Sequence, residues 1–329
     1  MKDVAEQAGV GIKTVSRVVN GEPGVTPETM ARVLTAIQDL GFRRNDSART
    51  LRTGRTGAIA LLVEQVADPF SSALTGAAEE VASRHGTLLL TGSCRDDPHR
   101  ERELALAFCA RRVDGIIVVP AAADHSYLAP EMAAGLAAVF VDRPPVDLEA
   151  DSVLADNAGG ARRGVEHLLA GGHRRIGFLG DSETFYTAAE RLRGYHEAVA
   201  GAGLTVDPRL VEMDALKPGR IDLALARLLD GPAPATALFT GNNRLTVEVL
   251  RRITGRPGRP ALVGFDDFEL ADLLTPGVTV IAQDPAGLGH TAAELLFSRL
   301  AGDASAPHRI VLPTRLIPRG SGEAGPAHR

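Results

Sequence analysis

Apolar residues recur along this chain in two rhythms. Over the first forty positions they fall at helical spacing. Val4, Ala5 and Ala8 share one face of a helix over Lys2 to Ala8, and Val15, Val18 and Val19 face inward from a second over Ile12 to Asn20. Gly9 separates the two, because glycine readily takes the left-handed conformation that a tight helix exit needs. Ala5 is expected to be small because the second helix crosses close above it. Thr26-Pro27 offers a hydroxyl N-cap and a proline at the first helical position, so a third helix is expected to run to about Leu40 and end at Gly41. Val33, Leu34, Ile37 and Leu40 are its apolar positions. Three such helices make a minimal bundle. The pair joined by a glycine turn reads as a helix-turn-helix, whose second helix can enter a DNA major groove.

From Ala58 the rhythm changes. Short apolar runs cover Ala58–Val63, Thr87–Thr91, Gly115–Val119, Ala138–Asp142, Arg175–Gly180, Ala237–Thr240, Ala261–Phe265 and Val278–Ala282. Between them lie helical patterns at Ser71–His85, His99–Arg111, Ala161–Ala170, Ala188–Ala202, Arg244–Ile253 and Pro285–Leu300. Alternation of helices with wholly apolar strands predicts two doubly wound parallel sheets of about six strands each. The expected ligand site lies beyond the carboxyl ends of the strands. Residues 320–329, "GSGEAGPAHR", read as a disordered tail.

Polar groups stand directly after these runs: Asp68-Pro69-Phe70, Asp142-Arg143, Asp156-Asn157, Asn242-Asn243, Asp266-Asp267 and Gln283-Asp284, with Arg191 inside a helix. Carboxylates, amides and an arginine converging at strand ends, with Phe70 to cover an apolar face, suit a polyhydroxylated ligand.

Composition narrows the class. The chain has 329 residues, 44% hydrophobic and 23% charged, ordinary for a globular protein. No apolar run reaches about 18 residues and no signal peptide is legible, so a cytoplasmic protein without a membrane partner is expected. Cys94 and Cys109 are then free thiols. Net charge is −5, yet residues 1–56 hold nine Lys/Arg against six Asp/Glu. A basic head on an acidic body is the asymmetry expected if only the head meets a polyanion. No nucleophile elbow, P-loop or G-x-G-x-x-G is present, and the nine histidines make no metal-ligand spacing with cysteine. No catalytic residue, metal or cofactor is therefore expected, and His167 and His173 read as structural.

"DVAEQAGVGIKTVSRVVNG" and then "NDSARTLRTGRT" closely resemble the head of the LacI/GalR (lac repressor) family of bacterial transcription regulators. The resemblance implies that Ile12, Lys13 and Arg17 read base edges, where Arg and Lys suit guanine and an apolar group suits a thymine methyl. It places Thr14, Ser16, Asn20, Thr26 and Thr29 against phosphates, which set register. Asn45 to Arg52 matches the family's hinge helix. Asn45 is a plausible cap, and Ala48 and Leu51 share one face. By resemblance that face enters the minor groove, where Leu51 wedges the duplex open. Arg49, Arg52 and Arg55 would neutralise phosphates.

In the body, "VDRP", "DNAGGARRGVEHLLAGGHRRIGFLG", "RLRGY", "GNN", "VGFDD" and "VIAQD" are similar to family signatures of a core like periplasmic sugar-binding proteins. On that match Arg191, Asn242 and Asp266 contact effector, Phe70 and Ser71 come from the other lobe, and Asp142 and Gln283 assist. Gly11 stands where the family usually has Ser, Arg44 where it has Pro, and Asn243 where it has Asp; the first helix, starting at Met1-Lys2-Asp3, lacks the usual capping hydroxyl. The expected organisation is a helix-turn-helix domain (1–44), a hinge helix and linker (45–56), a two-lobed periplasmic-binding-protein-like core for effector and dimerisation (57–319), and the tail (320–329). The expected function is a homodimeric repressor that binds a pseudo-palindromic operator and is controlled by a small molecule, a carbohydrate by preference. The competing readings are an activator and a cytoplasmic solute-binding protein.

Overall fold

Val4, Ala5, Ala8, Val15, Val33 and Ala36 close the core of the head, each nearly or wholly withdrawn from solvent. They come from α1 (Lys2–Gln7), α2 (Ile12–Asn20) and α3 (Pro27–Asp39). The computed structural model describes residues 1–42 and 55–326, and the expected hinge residues Asn45, Ala48, Leu51 and Arg52 lie outside them. Neither Met1 before α1 nor Gly11 before α2 gives a side-chain cap, as the missing hydroxyls predict. Thr26 does cap α3, its hydroxyl oxygen accepting from the Thr29 amide at 3.3 Å. Gly21 ends α2 at φ +67°, a left-handed turn that a Cβ would strain.

The chain divides into two compact units, Met1–Thr56 and Gly57–Arg329. The second unit holds two six-stranded sheets. The first lobe contains β1 (Ala58–Val63), α4 (Pro69–Arg84), β2 (Leu88–Ser93), α5 (Pro98–Ala110), β3 (Gly115–Val118), α6 (Ala129–Ala133), β4 (Ala137–Val141) and β5 (Asp151–Ala155). The second contains α7 (Asn157–Ala170), β6 (Ile176–Leu179), α8 (Tyr186–Gly201), β7 (Val211–Glu212), α9 (Arg220–Leu229), β8 (Ala237–Thr240), α10 (Asn243–Ile253), β9 (Ala261–Phe265) and β10 (Thr279–Ala282). The chain then returns through α11 (Pro285–Leu300) and β11 (Arg309–Leu312) to the first lobe and ends with β12 (Arg315–Ile317) in the second.

The sheet orders are β11-β5-β4-β3-β1-β2 and β12-β10-β9-β8-β6-β7, so one lobe repeats the strand order of the other. Every pair is parallel except β10 with β12. Strands β1, β3, β4, β8 and β9 are buried almost throughout, because helices cover both faces of each sheet. The chain crosses between lobes three times, after β5, β10 and β11. Arg163 ties two crossings together, donating to the Asp156 carboxylate at 3.3 Å and to the Thr314 carbonyl at 2.9 Å.

Several features depart from the expectations, the short strands β7, β11 and β12 among them. The strand β5 was not legible as an apolar run, since Asp151 opens it; Asp151 is nevertheless buried and held by Arg299 at 2.7 and 2.9 Å. The helix α9 was likewise missed, although Ile221, Leu225 and Leu228 bury one face of it. The end of the chain is not a free tail over residues 320–326. Ser321 is buried, its amide oxygen accepting from Leu262 and its hydroxyl donating to the Leu262 carbonyl at 2.6 Å. Glu323 accepts from both Thr279 and His167, and the Ala324 carbonyl meets His173 at 2.7 Å. A Gly/Ser-rich stretch reads as a tail by composition, but here its polar groups satisfy otherwise unpaired donors and acceptors beside the start of β9 and β10. His167 and His173 thus have the structural role expected of them.

Candidate functional site

The exposed side of α2 follows from its buried one. Val15 is wholly buried under the bundle, which turns Ile12, Lys13 and Arg17 outward; Ile12 is 46% exposed. Thr14 and Ser16 are half-buried, and Asn20 is the last residue of the helix. Thr26 spends its hydroxyl locally, donating to the Thr29 oxygen at 2.9 Å as well as capping α3. An exposed isoleucine beside two cations on a helix is the mixed surface a major groove accepts.

In the second unit the strand ends build a cleft between the lobes. Asp142 follows β4 and Asp266 follows β9, the equivalent strand of the other sheet. Both adopt left-handed backbone, at φ +69° and +68°. Both place the amide one strand over, Asp142 on the Val153 carbonyl at 3.0 Å and Asp266 on that of Ile281 at 2.8 Å. A left-handed non-glycine residue costs on the order of 1 kcal/mol, and such strain gathers at functional sites.

Arg191 is the organising cation of the second lobe. Buried on α8, it donates to Asn157 Oδ1 at 2.8 Å, to the Gly241 carbonyl at 2.6 Å and to Asp266 at 3.4 Å, and its guanidinium lies 3.8 Å from the Phe265 ring centroid. Gln283 donates to the other Asp266 oxygen at 2.6 Å. Asn242 caps α10 through the Leu245 amide at 2.8 Å and donates to Asp181 at 3.3 Å. From the first lobe, Asp68 caps α4, which sets Phe70 half-buried and Ser71 buried along the cleft wall. The cleft thus brings together all seven residues expected at an effector site.

It also brings residues that were not chosen. Arg143 is buried, donates to the Pro120 carbonyl at 2.7 Å, pairs with Glu64, and lies 4.6 Å from the ring centroid of Phe185 in the opposite lobe. Glu64, Asp96, Asp181 and Arg244 complete the charged lining. Asn157 was visible as a polar residue after a strand, but only its bond to Arg191 reveals a positioning role. Burial pushes the Asp142 carboxyl up to about 7, with Asp266, Asp68 and Asp96 adding repulsion and Arg191 opposing. Burial raises Asp266 as well, against Arg191 and Gln283. Desolvation lowers Arg143 to about 10. Among the described residues no group of three His, Cys, Asp or Glu is placed to hold a metal ion, and no helix is long and apolar enough to cross a membrane.

Comparison with known proteins places this arrangement. Residues 1–45 match the family model "Bacterial regulatory proteins, lacI family", and residues 165–322 match "Periplasmic binding protein-like domain". The chain is 34% identical over 332 residues to the HTH-type transcriptional regulator CelR of Thermobifida fusca, covering 97% of each chain. It is 31% identical over 311 residues to the regulator GalR of Salmonella typhimurium, covering 93% of this chain and 91% of that one. Among solved structures, a complex of the regulator CelR with cellobiose superposes with TM-score 0.70 at 31% identity, over 97% of this chain and 98% of that one. The lac repressor dimer bound to operator and the anti-inducer ONPF superposes with TM-score 0.82 at 27% identity, over 97% and 98%. These relatives are regulators rather than enzymes. With a helix-turn-helix head, a two-lobed core and this similarity over nearly its full length, the chain belongs to the LacI family of DNA-binding bacterial transcriptional regulators.

Proposed function

We propose that the protein is a repressor whose affinity for a pseudo-palindromic operator is set by a sugar bound in the cleft between the lobes. The observation that carries this reading is the convergence of Asp142 and Asp266, at equivalent strand ends of the two sheets, with Arg191, Asn242 and Gln283 in one cleft. Directed acceptors and donors in that density suit a ring with several hydroxyls, and Phe70 offers a face for its apolar side. A relative binds cellobiose, and another carries the name repressor, CytR of Escherichia coli, at 28% identity.

In this reading Ile12, Lys13 and Arg17 read bases. Thr14, Ser16, Asn20, Thr26 and Thr29 fix the helix on phosphates, with the Thr26 hydroxyl acting mainly through its cap. Asn45, Ala48, Leu51 and Arg52, which lie outside the described residues, would meet the minor groove, with Leu51 as the wedge at the central step. Two copies pair their heads across the two half-sites. Sugar changes the angle between lobes, separates the paired hinges and withdraws the wedge. The coupling is reciprocal, so operator weakens sugar binding by the factor that sugar weakens operator binding.

The test is selection of bound fragments from a genomic DNA pool by the purified protein, followed by release with a sugar panel. Enrichment of a palindrome that some sugar releases supports the reading. Enrichment that no sugar affects removes the sugar effector, and no enrichment removes the repressor.

A further inference from the structure

Behind the first-lobe wall of the cleft, Glu101 is a buried carboxylate that ligand contact does not explain. It stands in the first turn of α5, its side chain wholly withdrawn from solvent. Burying a carboxylate is costly unless donors surround it. The amides of Ala121 and Ala122 donate to its Oε2, the second at 3.0 Å, and the Tyr127 hydroxyl donates to Oε1 at 2.7 Å. His125, also wholly buried, faces Oε1 with Nε2 at 3.4 Å. Its Nδ1 accepts from the Val146 amide at 3.0 Å, so the neutral ring carries its proton on Nε2, the atom turned to Glu101. Burial pushes the Glu101 carboxyl up, but the contacts from His125, Ala121, Tyr127 and Ala122 outweigh it and hold the group below the usual range, in its ionised form.

This anion holds one end of a single peptide group. The chain leaves β3 at Val118 and passes through Pro120 and Ala121. The N–H of the Pro120–Ala121 peptide donates to Glu101, and the C=O of the same peptide accepts from Arg143 at 2.7 Å. The two groups of a trans peptide point in opposite directions, so a buried anion grips one side and a buried cation the other, each polarising the bond of its neighbour. Arg143 is on the cleft side, 4.6 Å from the ring centroid of Phe185 in the second lobe. Its Nε has no hydrogen-bond partner. The direction of the fork is therefore set at its terminal nitrogens, by Glu64 on one and the Pro120 carbonyl on the other.

We propose that Glu101 is a positioning residue of the cleft: through the Pro120–Ala121 peptide it aims the Arg143 guanidinium across the gap between the lobes onto Phe185. The inference deepens the sugar-cleft reading, since Arg143 and Phe185 both line that cleft while Glu101 does not. A packing role alone would end within the first lobe. Positioning carries the effect of Glu101 to an aromatic ring on the other lobe, which it does not touch.

The chain has no tryptophan, so Phe185→Trp places a single indole beside Arg143. The test is acrylamide quenching of that indole in the full-length, sugar-free protein. Adding Arg143→Ala should raise the quenching constant about threefold or more, because the ring loses the guanidinium over its face. Glu101→Gln puts one acceptor oxygen where four donors meet. Alone it should give about half of that rise, and combined with Arg143→Ala it should add nothing, because both act through one guanidinium. No rise in Glu101→Gln, or a rise that adds in full to that of Arg143→Ala, would overturn the proposal. If Glu101→Gln does not fold, the coupling is read from its other end. Hydrogen exchange at Ala121 and Ala122 should quicken about threefold or more in Arg143→Ala, and unchanged exchange there overturns the proposal equally. No sugar enters either measurement. A protein that binds no sugar would therefore remove the sugar-cleft reading and leave the positioning of Arg143 to be decided by the indole.

Discussion

Asp142 shows how one residue carries both a site and a cost. Its ionised form is disfavoured in the folded core, where the carboxyl titrates near 7, against 3.8 for an unhindered aspartate. The folded chain therefore holds a proton that the unfolded chain gives up. Stability falls as pH rises from about 4 to 7 and is level above, by on the order of 4 kcal/mol if the whole difference is expressed. Asp142→Asn removes that penalty. Its Tm should exceed the wild type's at pH 8 and match it near pH 4, as thermal melts of sugar-free protein would show; an equal gain at both would mean that the charge is not the cause. Arg191 is the complementary case. Its planar fork reaches three separated acceptors from fixed directions, a geometry that a compact ammonium does not match. In Arg191→Lys the sugar concentration needed to release operator should rise tenfold or more, with sugar-free operator affinity kept within twofold in a gel-shift titration.

At the scale of elements, close approach dictates composition. Where α7 crosses α8, a Cβ on Gly194 would fall on the Ala158 carbonyl oxygen, and one on Gly160 would strike Thr314, Ile281 and Phe265. Backbone cannot yield as a side-chain tip can, so Gly194→Ala should cost at least about 2 kcal/mol, read by denaturant unfolding of the whole chain. For the hinge, Leu51→Ala should weaken operator binding at least tenfold and reduce the DNA bend, while the circular dichroism of the head is unchanged. Much of this was legible in sequence. The strands of both sheets that pass through the middle are continuous apolar runs, and Gly9, Thr26 and Pro27 punctuate the head without ambiguity. The edges were less so. In β11 the exposed Arg309 and Val311 alternate with half-buried Ile310 and Leu312, which resembles a loop in a single sequence. In β5 an ion pair with a residue nearly 150 positions away hides the strand start. Most of the seven effector candidates could be read from strand ends, and Arg143 was visible there too, but its pairing with Glu64 across 79 positions and its place beside Phe185 of the other lobe come from tertiary packing, which no local pattern encodes.

For the molecule as a whole, three leucines within five residues stand exposed between β9 and β10: Leu270, Leu273 and Leu274, the second at 74%. Exposed leucines this close together are where the proposed dimer is expected to pack. In the proposed dimer, Leu273→Asp should shift the sedimentation coefficient to that of a monomer and cost operator affinity in proportion; an unchanged dimer would place the interface elsewhere. The triple crossing between lobes has a consequence for the making of the protein. The first lobe receives its last helix, α11, and its edge strand, β11, only after the second lobe has been threaded almost to its end. Until then Leu61, Val63, Val139 and Val153 lack the cover of Leu288, Ala292 and Leu296. A ribosome that stops early therefore releases a DNA-reading head on a body whose apolar floor is bare, a natural substrate for proteolysis. The order of synthesis thus predicts that a chain cut before α11 is degraded faster than the full-length protein.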